Sequence, residues 1–129
     1  MPEAVFLDAN VLLEIVLDRA NAAVARRFLE QLTDKPAISA LTAHLVVHFG
    51  QEIVELPIVR HFLQDYTMLP LEAADFAWAF ANTRSSDVED ALQLAVAIRH
   101  GYDSFLTLDK RLAKSYSDLP NIKVRLLGK

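Results

Sequence analysis

AVFLDANVLLE, residues 4–14, sets an acid between two apolar segments. Val5-Phe6-Leu7 reads as a short strand, and residues 10–17 read as a short helix. Asp8 stands at the junction. The same grammar returns near the other end of the chain, where Phe105-Leu106-Thr107-Leu108 runs into Asp109 and a short helical pattern covers residues 110–115. Two strands that each end in an acid and then a helix suggest a parallel sheet with its acids on one edge.

The segments between these junctions extend that pattern. Helical periodicity is predicted over residues 19–33, with Val24, Phe28 and Leu32 on one stripe. Further helices are predicted over 42–54, 57–66 and 72–82, the second with Pro57 in its first turn. In the 72–82 helix, Ala74, Ala77, Trp78 and Ala81 are expected to face inward. Further strands are predicted at 36–39, 67–69 and 122–126. Residues 87–100 form the clearest helix: Ser86 and Glu89 make a capping box, and Gly101 supplies the left-handed residue that ends it. Strands alternating with helices imply right-handed crossovers, hence an α/β fold, a three-layer α/β/α sandwich around a mainly parallel sheet.

The bulk numbers agree. The chain has 129 residues, 53% hydrophobic and 23% charged, which fits a single domain over residues 1–129 with a real core. It contains no cysteine, so disulfides, thiolate nucleophiles and Cys-ligated zinc are excluded. No secretory signal is recognisable, and no apolar run approaches the ~20 residues of a membrane span. The expected location is the cytoplasm. Three glycines and neither GxGxxG nor a P-loop pattern argue against a Gly-rich phosphate loop. The net charge of -4 hides an asymmetry: residues 1–83 carry a balance of -6 and residues 84–129 one of +2, with Lys110, Arg111, Lys114, Lys123, Arg125 and Lys129 in the basic part. A solvated surface accounts for that balance by itself.

Each acid admits two readings. Asp8, Asp87, Asp90 and Asp109 all suit helix N-termini, where they satisfy N–H groups and complement the macrodipole. Yet ALQLAVAI, residues 91–98, is apolar nearly all round, so Asp90 leads into a buried helix, with Asp87 three residues before it on the same side. Carboxylates gathered near a core repel one another and stay ionised only beside a cation. An all-oxygen set of two or three aspartates suits Mg²⁺ or Mn²⁺.

Three stretches, FLDANVLLEIVLDR at 6–19, ISALTAHL at 38–45 and SSDVEDALQLAVAIRHGYDSFLTLDKRL at 85–112, give the chain a resemblance to the PIN-domain family. The nearest kind is the small VapC-like toxins of type II toxin–antitoxin pairs, and the resemblance runs from about residue 4 to 127. It implies a Mg²⁺- or Mn²⁺-dependent endoribonuclease that hydrolyses RNA phosphodiesters with metal-activated water. Asp8, Asp90 and Asp109 would be the metal-binding and catalytic acids. Thr107 would orient the last of them, and Asn10 matches a frequent Asp-x-Asn opening. It further implies a homodimer held inactive by an antitoxin protein. Lys110 and Arg111 are plausible phosphate contacts.

One position departs from the family. Where a Thr-x-x-Glu-Leu pattern is usual, this chain has Leu41-Thr42-Ala43-His44-Leu45, which sets His44 in the place of the second acid. Glu52 and Glu55 lie two or three turns further on. His44 is therefore held as a supporting residue at the edge of the site. The alternative function that follows is a PIN-fold protein with weak or no nuclease activity, acting as an RNA- or protein-binding module. His44 and His48 share the i, i+4 spacing of zinc sites, but HLVVH lacks the Glu of HExxH and a third ligand. Residues 46–63 are rich in large apolar groups, which serve either the core or a partner surface.

Overall fold

The computed structural model describes residues 3–84 and 87–127. Among these, five strands form one sheet in the order β3-β2-β1-β4-β5. The strands are β1 (Val5–Leu7), β2 (Ala37–Ser39), β3 (Thr67–Leu69), β4 (Ser104–Thr107) and β5 (Lys123–Leu126). Every pairing is parallel, so the predicted mainly parallel sheet is parallel throughout. The crossovers are carried by α1 (Ala9–Val16), α2 (Ala22–Glu30), α3 (Ala40–Gly50), α4 (Leu56–Leu63), α5 (Ala73–Asn82), α6 (Val88–Arg99) and α7 (Lys110–Ser115).

Alternation along the strands divides the core into two layers. Val5, Leu7, Ile38 and Leu106 point to one face, where they pack with Val11, Leu12 and Ile15 of α1, Ala25 of α2, Val46 of α3 and Val59 of α4. Phe6, Ala37 and Phe105 point to the other, where they meet Leu94, Val96 and Ala97 of α6 and Leu112 of α7, with Tyr116 just beyond it. The inner strands β1, β2 and β4 are buried along their whole length because helices cover both faces. β3, an edge strand, keeps Thr67 and Met68 exposed.

Helix ends differ from the predicted limits by a few residues. α3 begins at Ala40, because the Ser39 hydroxyl accepts from the Thr42 N–H and caps the helix directly after β2. It stops at Gly50, and the exposed bend that follows takes the residues predicted to continue it. The Ser86 end of the predicted capping box lies outside the described residues. The described N-cap of α6 is Asp87, whose carboxylate accepts from the Glu89 N–H. Gly101 ends the helix as predicted, with φ +74°.

The predicted inward face of α5 is corrected. Ala74, Ala77 and Ala81 are exposed, and the buried side carries Asp75 and Ala79, with Trp78 and Asn82 half-buried. The reason is an ion pair between helices. Asp75 is 1% exposed, yet Arg99 at the end of α6 grips both its oxygens, from Nε and Nη2 at 2.9 Å each, and the Glu72 N–H donates to it at 2.8 Å. A helix read for apolar spacing alone cannot announce a carboxylate whose cation lies 24 residues away. Burial raises the Asp75 carboxyl, but Arg99 and the Glu72 N–H outweigh it and hold it below its ordinary value. An aspartate lowered in this way adds stability above its unfolded pKa and loses it in acid. Arg99→Leu is therefore expected to lower the melting temperature clearly at pH 7 and much less at pH 3, where the orphaned carboxyl is protonated. Equal losses at both pH values in thermal denaturation would rule out the ion pair as the cause.

Candidate active site

The chain runs outward from β1 through β2 to β3, then returns to the other side of β1 for β4 and β5. The direction reverses between β1 and β4, and a parallel sheet opens a crevice at the carboxyl ends of the strands there. Asp8 directly follows β1, and Asp109 stands two residues beyond β4. The register Leu7↔Leu106 places the ends of these strands side by side.

One hydroxyl ties the two junctions together. Thr107 is fully buried; its Oγ1 donates to Asp8 Oδ2 at 2.8 Å. It also accepts from Asn10 Nδ2 at 3.2 Å and from the Asp109 N–H at 3.0 Å. Asn10 Oδ1 closes the loop by accepting from the Leu108 N–H at 3.2 Å. Asp8, 5% exposed, accepts from the Ala9 N–H on its other oxygen at 2.7 Å. Capping and site-building are thus the same act: Asp8 caps α1, and Asp109 caps α7 by accepting from the Arg111 and Leu112 N–H groups.

Asp90 arrives from a third element, the first turn of α6. Burial pushes the Asp8 carboxyl up to about 6; the Thr107 hydroxyl and the Ala9 N–H pull against it, while the charges of Asp109 and Glu89 push it further. Burial also leads in raising Asp90, to about 7, with the charges of Asp8, Asp87, Asp109 and Glu89 adding to it. Acids drawn from three separate elements therefore act on one another across the carboxyl edge.

Glu89 is the residue that sequence reading missed as part of this group. Local pattern gives it only a capping role, yet it is half-buried and its charge acts on Asp8, 81 residues away. Burial, then the Asp87 charge, raise its own pKa. Its position beside Asp90 in the exposed-to-buried first turn of α6 was the available signal.

Of the other predicted residues, Asp87, Lys110 and Arg111 lie at the rim of this group and His44 lies away from it. His44 is exposed on α3, its ring 6.2 Å from that of His48, which is also exposed. It is not among the charges acting on Asp8 or Asp90. Counted from Thr42, the third residue on is Leu45, half-buried, so α3 presents no carboxylate there. Glu52 and Glu55 are exposed beyond the end of α3. Lys110 and Arg111 are exposed in the first turn of α7, next to Asp109, and neither makes an ion pair among the described residues. Asp87 is exposed at the α6 N-terminus.

The donor set can be tested against a divalent ion. Among the described residues, no three His, Asp or Glu side chains form a ready-made cage. Mg²⁺ does not need one: it keeps several waters and is usually held by one or two carboxylates. The acids that meet here supply only hard oxygen donors, and burial and mutual repulsion hold two of them well above ordinary carboxylate values. A hard divalent cation fits that arrangement and would relieve it.

Fold and site together define a three-layer α/β/α domain with mutually repelling acids at the switch point of a parallel sheet. The model of one family, the PIN domain, matches residues 5–117, and the chain belongs to that family. Among solved structures, it is similar to a chain of a toxin–antitoxin complex from Klebsiella pneumoniae, at 21% identity and TM-score 0.73, with 93% of this chain and 95% of that one covered. It is similar to a chain of VapBC2 from Rickettsia felis bound to a DNA fragment from its promoter, at 14% identity and TM-score 0.70, covering 97% and 99%. A third likeness is to FitAcB from Neisseria gonorrhoeae, at 19% identity and TM-score 0.61, covering 93% and 95%. These likenesses are of fold. Comparison with curated proteins returns no significant match.

Proposed function

We propose that this PIN-domain protein is a Mg²⁺- or Mn²⁺-dependent endoribonuclease, the toxin of a type II toxin–antitoxin pair. The observation that carries the proposal is the joining of the Asp8 and Asp109 junctions through the Thr107 hydroxyl at the switch point, with Asp90 in the first turn of α6 close enough to feel their charge. As carboxylates, Asp8, Asp90 and Asp109 would hold the ion, one or two of them directly and the rest through its waters. Thr107 and the Ala9 N–H fix the Asp8 oxygens, and Asn10 braces Thr107. When bound, the ion supplies a more acidic water and neutralises charge on a phosphodiester. Water adds at phosphorus as the bond to the leaving oxygen breaks, and the proton that the water gives up ends on that leaving oxygen. Lys110 and Arg111, exposed beside Asp109, contact RNA phosphates.

The proposal extends to the protein's surroundings: one domain over residues 1–129, working in the cytoplasm. Among the described residues, no helix is long and apolar enough to cross a membrane. Phe49, Ile53, Leu56 and Ile58 lie exposed on and between α3 and α4. This face suits a homodimer contact or an antitoxin protein, and the solved complexes of similar fold favour such a partner.

The test is cleavage of structured RNA by the purified protein with Mn²⁺ or Mg²⁺. Cleavage should stop with excess chelator, return when Mn²⁺ is restored, and be absent from Asp8→Asn prepared in parallel. Products that persist in chelator, or that Asp8→Asn also yields, would defeat the proposal.

A second reading has its own observation: α3 contributes no carboxylate and His44 points to solvent. On this reading the protein is a weak or inactive nuclease that binds RNA or protein. Calorimetry with Mn²⁺ separates the two, because heat of binding that Asp109→Asn removes speaks against a purely binding role.

A further inference from the structure

The three acids are not anchored alike. Asp8 and Asp109 sit at the ends of neighbouring strands and share the Thr107 hydroxyl. Asp90 rides on a helix. The residues of α6 from Ala91 to Ala97 are all buried, and several are alanines. The hydrophobic effect is non-directional, so this apolar surface sets the rotation and height of the helix through close fit alone.

One side chain on this buried surface is polar. Gln93 is 1% exposed and lies one turn after Asp90, ~4.5 Å along the axis. Its Oε1 accepts from Ser39 Oγ at 2.7 Å, and its Nε2 donates to Thr42 Oγ1 at 2.9 Å. Ser39 and Thr42 are themselves fully buried, and Ser39 Oγ accepts from the Thr42 N–H at 3.1 Å. Ser39 ends β2 and caps α3. β2 pairs directly with β1, which carries Asp8.

A satisfied buried polar network adds little net stability over a well-packed apolar one, but it is directional. We propose that Gln93 is a positioning residue for the candidate site. By binding Ser39 and Thr42 it fixes the rotation and height of the first turn of α6 against the carboxyl edge of the sheet, and so holds Asp90 opposite Asp8. This inference rests on the metal-nuclease reading of the site. It adds that the acids act together only while a hydrogen-bonded clamp, remote from the ion and the RNA, keeps α6 in register.

Two variants test it. Gln93→Met keeps length and volume but takes away the acceptor of the Ser39 hydroxyl and the donor to Thr42 Oγ1, while Ser39 Oγ still accepts from the Thr42 N–H. Gln93→Met combined with Thr42→Val also removes the Thr42 hydroxyl and leaves the Ser39 cap in place. Four quantities are read on each: melting temperature, Mn²⁺ affinity by calorimetry with the metal alone, amide exchange of residues 89–91, and kcat and KM for RNA. Outer-shell partners of a metal site typically tune affinity by about 10–100-fold. The expected result is at least about tenfold weaker Mn²⁺ binding in both variants. A comparable fall in kcat should come with KM within about twofold, alongside faster exchange at residues 89–91. The double variant should recover melting temperature without recovering Mn²⁺ affinity. If both quantities recover together, or if both variants bind Mn²⁺ as the wild type does, Gln93 is merely structural and the inference falls. If the wild type itself neither binds Mn²⁺ nor cleaves RNA, the functional reading falls. The exchange data then decide the clamp separately: faster exchange confined to residues 89–91 upholds it, and unchanged exchange overturns it.

Discussion

Asp90→Asn is expected to reduce RNA cleavage by at least about 10²-fold and, in the same molecule, to raise the melting temperature of the metal-free protein at pH 8. The first effect follows if Asp90 is one of the carboxylates that hold the ion, since electrostatic stabilisation of the transition state is a leading part of such catalysis. The second follows from the cost of keeping that carboxylate charged. Burial first, then the charges of Asp8, Asp87, Asp109 and Glu89, push Asp90 from an ordinary 3.8 up to about 7. A raised folded-state value means stability that is fully present below the unfolded pKa and lost as pH rises through the folded one. The repulsion in wild type is therefore complete above about pH 7 and fades toward pH 4. A rise from 3.8 to about 7 would be worth ~4 kcal/mol in a sealed site, but Asp90 is partly exposed and solvent screening reduces this to about 1–2 kcal/mol. That corresponds to a rise of roughly 3–8 °C at pH 8. Asparagine removes the charge, and among the described residues the Asp90 side chain has no hydrogen bond to break. Melting curves in chelator at pH 8 and pH 4 provide the check. A variant no more stable than wild type at pH 8 would contradict the repulsion. Saturating Mn²⁺ should reverse the order, stabilising wild type and leaving the variant nearly unmoved.

Thr107→Val carries the other large effect. The change is close to isosteric, so packing is kept while one hydroxyl is lost. That hydroxyl is the donor to Asp8 Oδ2 and the acceptor for Asn10 Nδ2 and the Asp109 N–H. Asp8 is nearly buried and cannot recover its partner from bulk water. Orphaning buried groups costs about 1–3 kcal/mol each, and with Asn10 and Asp109 closer to solvent a total near 3 kcal/mol is expected. Thr107→Ser keeps the hydroxyl and loses one methyl, about 1 kcal/mol. The lost hydrogen bond is also one that lowers the Asp8 pKa, so the valine variant should have Asp8 protonated more fully near neutral pH and bind Mn²⁺ more weakly. Denaturation and calorimetry on the two variants side by side decide the matter. If valine behaves like the wild type and serine shows the larger loss, Thr107 acts through its methyl and the hydroxyl has no special part.

The likeness between the two strand–acid–helix junctions is what made the site legible. A short apolar run closed by Asp8, and another closed by Asp109, are local patterns, and the exposed edge of a parallel sheet is the place such patterns lead. Thr107 and Asn10 were picked out by the resemblance to the PIN-domain family, which sets each two residues from an acid. Glu89 was hidden because its local role, a residue in the first turn of a helix, is complete without reference to Asp8. Gln93 was hidden because one polar residue in an apolar helix shows nothing of the two hydroxyls it meets 51 and 54 residues earlier. His44 shows the reverse case. A family pattern put it in an acid's place, but the rotation of α3, fixed by buried Thr42, Ala43 and Val46, turns it outward to His48.

By itself, then, the order of residues determined the elements, their parallel pairing and the two acids at strand ends, because periodicity and chain reversal act over a few residues at a time. Only the tertiary structure decided which face of α5 is buried, that His44 turns outward on α3, and that Asp90 and Glu89 lie within electrostatic reach of Asp8. Those outcomes depend on partners far apart in the chain: Arg99 for Asp75, Ser39 and Thr42 for Gln93. A charge or hydrogen bond acts at a few ångströms, and sequence distance carries no record of which groups will come that close.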